Sequence, residues 1–295
     1  MVIGVDIPNA GELPAKLGVH EMARRAEAAG ADALWVSDHL LMVDRDSRDY
    51  PYSADGRPTW SVDAEHYEAF VCCASMAAVT ERCRIGTAIL VLPQRNVLEV
   101  AKIAASIDQL SGGRLTLGLA AGWYRFEFEA LGHSFVRRGA RFDEMIDVLR
   151  SCWSGRPEAF SGREITIPPG IVLSPVPAQL GGPPLLIGGM TEPALRRAAE
   201  RGDGWIALGY AGKWDSEGLR TRLDRLRLLR REAHAQRPFK TLLKLHAAPA
   251  AASALPGLVL EAEDMGFDEV IIEPPWGNGL DAASESIADV RHATR

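Results

Sequence analysis

Short apolar runs alternate with amphipathic helical segments from one end of the chain to the other. This rhythm constrains the fold more than any single motif. The runs span residues 2–6, 33–37, 84–90, 115–120, 184–187, 204–208, 242–246 and 269–273. Most are apolar on both faces, as suits parallel strands buried from two sides. Helical spacing marks 19–29, 68–79, 97–110 and 141–153 between them. Eight strands, each followed by a helix, count out a closed (β/α)8, or TIM, barrel more naturally than an open sheet. A length of 295 residues is ordinary for one such domain over 1–295, and 47% hydrophobic residues can fill its core without disulfides or metals.

A repeated connection supports the α/β reading. Ala26-Glu-Ala-Ala-Gly30-Ala-Asp32 precedes strand two, Ala199-Glu-Arg-Gly202-Asp203 strand six, and Ala262-Glu-Asp-Met-Gly266-Phe-Asp268 strand eight. Each places a glycine where a helix can end in the left-handed conformation. Two connections are long. Residues 40–68 leave the C-terminal end of strand two, where barrel active sites form, and read as a substrate lid carrying Tyr50, Tyr52, Trp60 and His66. Residues 153–183, rich in Pro and Gly, lead into strand five.

A net charge of −6 without a basic block argues against nucleic acid, whose phosphates call for a concentrated basic face. The arginine-rich segment 220–231 carries leucines at helical spacing and reads as an amphipathic helix with a solvated face. Cys72, Cys73, Cys83 and Cys152 have neither C-x-x-C nor zinc-ligand spacing, so reduced core thiols and no metal are expected. No apolar run reaches membrane-spanning length and the first residues read as a strand, which points to the cytoplasm.

Leu110-Ser-Gly-Gly-Arg114 reads as a helix stop and a strand start, since no phosphate-cradling G-x-x-x-x-G-K-[ST] accompanies it. Gly188-Gly189-Met190-Thr191, before a helix with Pro193 in its first turn, is either a phosphate site at a helix start or a plain tight turn. Glu192 there would repel an anion. Asp38-His39 ends strand two with a carboxylate beside an imidazole, the side chain suited to proton transfer near neutral pH. Gly122-Trp123 and Gly204-Trp205 add aromatic surface near the same end, and Asp6, His246 and Glu273 also fall on strand ends.

Taken together, Trp35-Val-Ser-Asp-His39, Leu92-Pro-Gln-Arg-Asn96, Asp108-Gln-Leu-Ser-Gly-Gly-Arg114, Gly122-Trp123, Glu127-Phe128, Arg138-Gly-Ala-Arg141-Phe-Asp-Glu144 and Gly188-Gly189 resemble the bacterial-luciferase-like family of flavin and deazaflavin oxidoreductases. The loop Tyr50-Pro-Tyr-Ser…Asp55-Gly-Arg57 is similar to the branch dependent on coenzyme F420, a 5-deazaflavin. The resemblance implies a coenzyme ring in the C-terminal mouth, against a non-proline cis peptide at Ala88-Ile89 and near Ala121, Gly122, Trp123 and Trp205. It implies the coenzyme phosphate at Gly188, Gly189 and Met190, with His39 and Asp38 beside ring and substrate. Tyr50, Trp60 and His66 would then meet a small apolar or aromatic substrate, in an enzyme that pairs as a homodimer. Departures from the family pattern are Val97 after Asn96, Ala88 before the bulge, and Leu119-Ala-Ala-Gly122 closing strand four. The expected function is hydride transfer with coenzyme F420. FMN-dependent monooxygenation is the alternative, and a non-catalytic flavin-binding barrel the second.

Overall fold

The computed structural model describes residues 1–294 except 46, 47, 49, 52–55 and 59. Eight parallel strands close on themselves: β1 (Val2–Asp6), β2 (Ala33–Val36), β3 (Arg84–Val91), β4 (Leu115–Ala120), β5 (Leu185–Gly188), β6 (Gly204–Tyr210), β7 (Lys240–His246) and β8 (Glu269–Ile272). Each pairs with its neighbours in sequence, and β8 returns to β1. This is the TIM barrel expected from the alternation.

Around the strands lie α1 (Leu13–Leu17), α2 (Val19–Ala28), α3 (Ala69–Val79), α4 (Val97–Leu110), α5 (Arg125–Ala130), α6 (Arg138–Cys152), α7 (Glu192–Arg201), α8 (Ser216–Glu232), α9 (Leu255–Met265) and α10 (Leu280–Ala293). Helix α4 shows how local sequence sets these elements. The Asn96 side chain accepts from the Leu98 and Glu99 amides, Val97, Val100, Ala101, Ala104 and Ile107 face the sheet, and Gly112 and Gly113 stop the helix at φ 69° and 83°. Arg114 then donates to the carbonyls of Ala77, Thr80 and Cys83 and to the Thr80 hydroxyl, tying α3 to the start of β4. Leu110-Ser-Gly-Gly-Arg114 is thus a structural joint.

Period-two alternation sorts the strand residues. One set packs outward against the helices. The other fills the barrel with Ala33, Trp35, Leu186, Ile206, Leu242 and Ile271. At the N-terminal end Glu269 accepts from the Trp35 indole at 2.8 Å and pairs with Arg84.

Several details differ from the sequence reading. Gly266 takes the left-handed cap at φ 93°, but Gly202 does not, sitting at φ −82° and ψ 159°. Crowding explains the glycine there: a Cβ would meet the Ala198 and Gly204 carbonyl oxygens at 2.9 Å. Helix α6 begins three residues earlier than its apolar pattern, and α5 is additional. Residues 153–183 contain a small antiparallel hairpin, Phe160–Ser161 with Thr166–Ile167. Among the described residues, no helix is long and apolar enough to cross a membrane.

Candidate active site

At the end of β2 the chain turns so that Asp38 and His39 part company. The Asp38 carboxylate is buried, accepts from the Val91 amide at 2.9 Å and pairs with Arg95 at 2.6 Å. Arg95 in turn reaches Glu68, the cap of α3. Burial pushes the Asp38 carboxyl up from its ordinary pKa against the pull of Arg95. The imidazole of His39 finds a different carboxylate. Its Nδ1 lies 3.0 Å from Glu127 Oε2, and Glu127 Oε1 accepts the amides of Leu40 and Leu41 at 2.6 and 3.3 Å. The pairing of Asp38 with His39, natural from sequence, is replaced because Asp38 is held by β3 and Glu127 comes in from α5.

The loop after β2 folds over His39. Trp60, His66 and Trp123 stand with ring centroids 5.7, 5.6 and 5.9 Å from the imidazole. Tyr50 packs edge-on against Trp60 and Trp123 at 5.2 and 5.0 Å. Sequence-expected residues Tyr50, Trp60, His66 and Trp123 are therefore brought together with His39, while Tyr52 and Asp55 lie outside the described residues. Burial, and the proximity of His39, hold the His66 imidazole below its ordinary pKa.

On the adjoining wall the Ala88-Ile89 peptide is cis, and the β3–β4 register shifts between Thr87 and Leu90. Ile89 leans across to β5, so that a Cβ on Gly188 would come within 2.6 Å of its Cγ2. Ala121 and Gly122 follow β4, Gly122 at φ 80° with its carbonyl accepting from Arg138 at 2.9 Å. After β5, Gly189 takes φ 130° and α7 starts with no side-chain cap, since the Thr191 hydroxyl makes no cap bond. Beside that start lies a cavity of about 460 Å³, lined in part by Met190, Gly218 and Arg222. Arg222 donates to the carbonyls of Met190 and Gly218 at 3.3 and 2.8 Å. Glu192, expected to repel an anion, is instead paired with Arg225 at 2.6 Å and Arg196 at 3.2 Å.

Trp205 does not form part of this wall. Alternation along β6 turns it outward, where it is fully buried, stacks on Phe267 at 6.2 Å and donates to the Gly189 carbonyl at 2.8 Å. Its tie to the mouth is that bond to the turn.

Across the mouth stands a charged wall. Lys244, one inward step above Leu242 on β7, is buried and uses all three ammonium hydrogens: Asp6 Oδ1 at 2.7 Å, Ser37 Oγ at 2.9 Å and the Ala88 carbonyl at 3.1 Å. One side chain thus links four strands or strand ends. Above it, His246 Nδ1 meets Glu273 Oε1, and the ring stacks on Tyr210 at 5.3 Å. Burial pushes the Asp6 carboxyl above its ordinary pKa despite Lys244. A cavity of about 330 Å³ opens here, lined by Asp6, Asn9, Ser37, Glu273 and Trp276 among others.

Glu127 and Arg95 lie within the motifs that carry the family resemblance, though nothing in those motifs assigns them a partner, and Lys244 lies outside them. The last carried a signal: a lysine at an inward position of an apolar strand must find partners inside the barrel.

Comparisons with known proteins agree with this architecture. An uncharacterized protein of Mycobacterium tuberculosis is 34% identical over 251 residues, covering 85% of this chain and 83% of the relative. An FMNH2-dependent dimethylsulfone monooxygenase of Pseudomonas putida is 29% identical over 171 residues, 57% of this chain and 45% of that one. Among solved structures, an F420-dependent secondary alcohol dehydrogenase in complex with an F420–acetone adduct superposes with a TM-score of 0.75, at 20% identity, over 98% of this chain and 99% of that one. A model of the luciferase-like monooxygenase family matches residues 9–255, and the chain belongs to that family.

Proposed function

We propose that this oxidoreductase binds coenzyme F420 in the barrel mouth and exchanges a hydride between it and a small organic substrate, with His39 as proton donor or acceptor. The observation that carries the reading is the His39–Glu127 pair. Nδ1 is anchored to a carboxylate, while Nε2 makes no hydrogen bond among the described residues. That wiring leaves one nitrogen available to hold or move a proton.

The residues fit a coenzyme of this class. Ile89 against Gly188 makes a wall with little bulk on the β5 side, and the uncapped start of α7 with Arg222 would take a phosphate; Arg225 cancels the charge of Glu192, while Asp215 and Glu217 also line that cavity. Ala88, Ile89, Ala121, Gly122 and Trp123 would face the ring, and Gly188, Gly189 and Met190 the phosphate. Bound there, the coenzyme supplies the carbon that gives or takes the hydride. Asp38 acts by position, fixing Arg95 and the β3 end on which the ring would rest. The Tyr50, Trp60 and His66 cluster covers His39 and excludes water from it.

The F420 assignment is supported by the Tyr50–Arg57 loop pattern and by the alcohol dehydrogenase neighbour; the name of the Pseudomonas relative favours reduced FMN with oxygen. Titration of the purified protein with each coenzyme, followed by absorbance, separates them. Deazaflavin binding tighter than FMN is expected, and micromolar FMN binding without deazaflavin binding overturns the assignment. His39→Ala is expected to keep coenzyme affinity within about tenfold while losing about 10²–10⁴-fold in turnover. Unchanged turnover would remove His39 from the chemistry.

A further inference from the structure

The chain leaving β2 is gripped at more points than the His39 ring. Glu127 takes His39 Nδ1 and the amides of Leu40 and Leu41. Tyr124, the residue before α5, takes the backbone further on. Its hydroxyl donates to the Val43 carbonyl at 2.7 Å and accepts from the Val43 amide at 3.2 Å. The phenol thus spends both its donor and an acceptor on one residue. Tyr124 and Glu127 are the N-cap and third positions of α5, which a helix start brings side by side. Tyr124 makes no cap bond with its side chain, and the hydroxyl goes to the loop instead.

Residues 39–43 belong to no strand or helix. Among the described residues their hydrogen bonds all run to Tyr124 and Glu127, apart from the Arg45 amide on the Val43 carbonyl at 2.8 Å. Upstream, Asn9 accepts the Ser37 amide and donates to the Ser37 carbonyl, and Lys244 donates to the Ser37 hydroxyl. His39 therefore stands between two fixed points, Ser37 before it and Val43 after it. Tyr124 is itself held firmly: it is 3% exposed, with its ring 4.9 Å from Trp123 and 5.9 Å from Phe126.

We propose that Tyr124 is a positioning residue for His39: its hydroxyl, by fixing Val43, keeps the imidazole on Glu127 and within the ring cluster of Trp60, His66 and Trp123. The proposal rests on the reading of His39 as the proton-handling residue. In this role Tyr124 touches neither coenzyme nor substrate and acts through the backbone. A functional side chain carried on irregular backbone is only as precisely placed as the groups that hold that backbone. Here a phenol and a carboxylate replace the strand ladder or helix that would otherwise do so.

A tyrosine that only filled space between Trp123 and Phe126 would be replaced by phenylalanine without consequence, since the ring is the same. The hydroxyl adds two bonds to one backbone residue. Without it the Val43 amide has no acceptor among the described residues, and the stretch gains by opening to water. Opening at Val43 leaves Glu127 alone to hold the span after Ser37. The loosening is therefore felt at His39 and its neighbours in the chain. It does not reach His246, whose anchor Glu273 holds both its ring and the Ala247 amide across the mouth.

The test needs no coenzyme. Diethyl pyrocarbonate acylates accessible, neutral imidazole nitrogens, and peptide masses give the rate at each histidine in wild type and Tyr124→Phe. In the variant His39 should react at least about tenfold faster. His246 and the exposed His292 should change by less than about twofold, and the melting temperature should fall by no more than about 4 °C. A His39 rate within about twofold of wild type, or an equal rise at His246 and His292, overturns the proposal. If Tyr124→Phe does not fold, amide exchange in the wild type decides the matter. The Val43 amide should then exchange at least about 100-fold more slowly than an unprotected one, although it lies outside any strand or helix. Exchange at the unprotected rate overturns the proposal. Neither overturning result touches the coenzyme reading. Unchanged turnover in His39→Ala would remove the catalytic meaning of the placement while the acylation rates still recorded it.

Discussion

Lys244→Met should destabilise the barrel severely at neutral pH and mildly in acid. The ammonium is surrounded by Asp6, Ser37 and the Ala88 carbonyl at 2.7–3.1 Å, so its removal strands a buried carboxylate. Breaking such a pair costs about 3–5 kcal/mol. A second estimate bounds the cost from above. Asp6 can escape by taking a proton, and carrying an ordinary aspartate to the neutral form at pH 7 costs about 4 kcal/mol, at 1.36 kcal/mol per unit. At pH 5 the same escape costs about 1.5 kcal/mol. The lost bonds to Ser37 and Ala88 add about 1 kcal/mol each, which the buried apolar methionine offsets to within about 1 kcal/mol. The sign follows from linkage. The folded-state pKa of Asp6 is already raised and rises further in the variant, so the stability it contributes is present in acid and lost as pH rises. At about 2.1 cal/mol/K of unfolding entropy per residue over 295 residues, 3–4 kcal/mol corresponds to a drop of about 5–7 °C. Thermal melts at pH 7 and pH 5 measure it, and adding Asp6→Asn should restore most of the loss at pH 7. A loss below about 1 kcal/mol at pH 7, or equal losses at both pH values, would refute the reasoning.

Glu27 accepts the amides of Glu81, Arg82 and Cys83 at 2.8–3.2 Å, and these bonds outweigh its partial burial to hold its carboxyl below the ordinary range. Its stabilisation is therefore present above the ordinary glutamate pKa and lost as pH falls through the lowered one, so the melting gap between wild type and Glu27→Gln should close on acidification below about pH 4. The four thiols are buried and unpaired with one another, with burial pushing Cys72 and Cys83 to about 12 and Cys152 to about 11. A thiol reagent should label essentially none in the native protein and all four after denaturation. Gly122→Ala forces a Cβ to within 2.5 Å of Val91 Cγ1 at φ 80°, which should cost about 1–3 kcal/mol by thermal melt.

The barrel was legible because its strands are buried on both faces and its helices on one, and the two periods differ. Helix α4 matches its sequence bounds because Asn96 and Gly112-Gly113 punctuate it chemically. Helix α5 escaped because six residues give no full repeat of an apolar stripe. The site was legible as far as identity and neighbourhood in the chain go: His39, Tyr50, Trp60, His66 and Trp123 do meet. Pairings across long sequence separations were not. Asp38 adjoins His39 in the chain but serves Arg95, and Glu127, 88 residues on, takes its place. Adjacent residues leave a strand end in different directions, so proximity in sequence is a poor guide to which carboxylate an imidazole finds.

Strand parity also explains why the two walls of the mouth differ chemically. A layer of the barrel interior is filled from alternate strands, so a polar residue at one inward position must be answered from another strand in the same or the next layer. Lys244 is answered by Asp6 and Ser37, and His246 by Glu273, which concentrates charge on the β7, β8 and β1 side. The β3, β4 and β5 side is left with Ala88, Ile89, Ala121 and Gly188, small or apolar residues against which a flat ring can lie. The alanines at 88 and 121 therefore add little bulk to that wall. The charged side is instead tied together by Lys244, whose bonds to Asp6, Ser37 and the Ala88 carbonyl fix the layer beneath the His246–Glu273 pair.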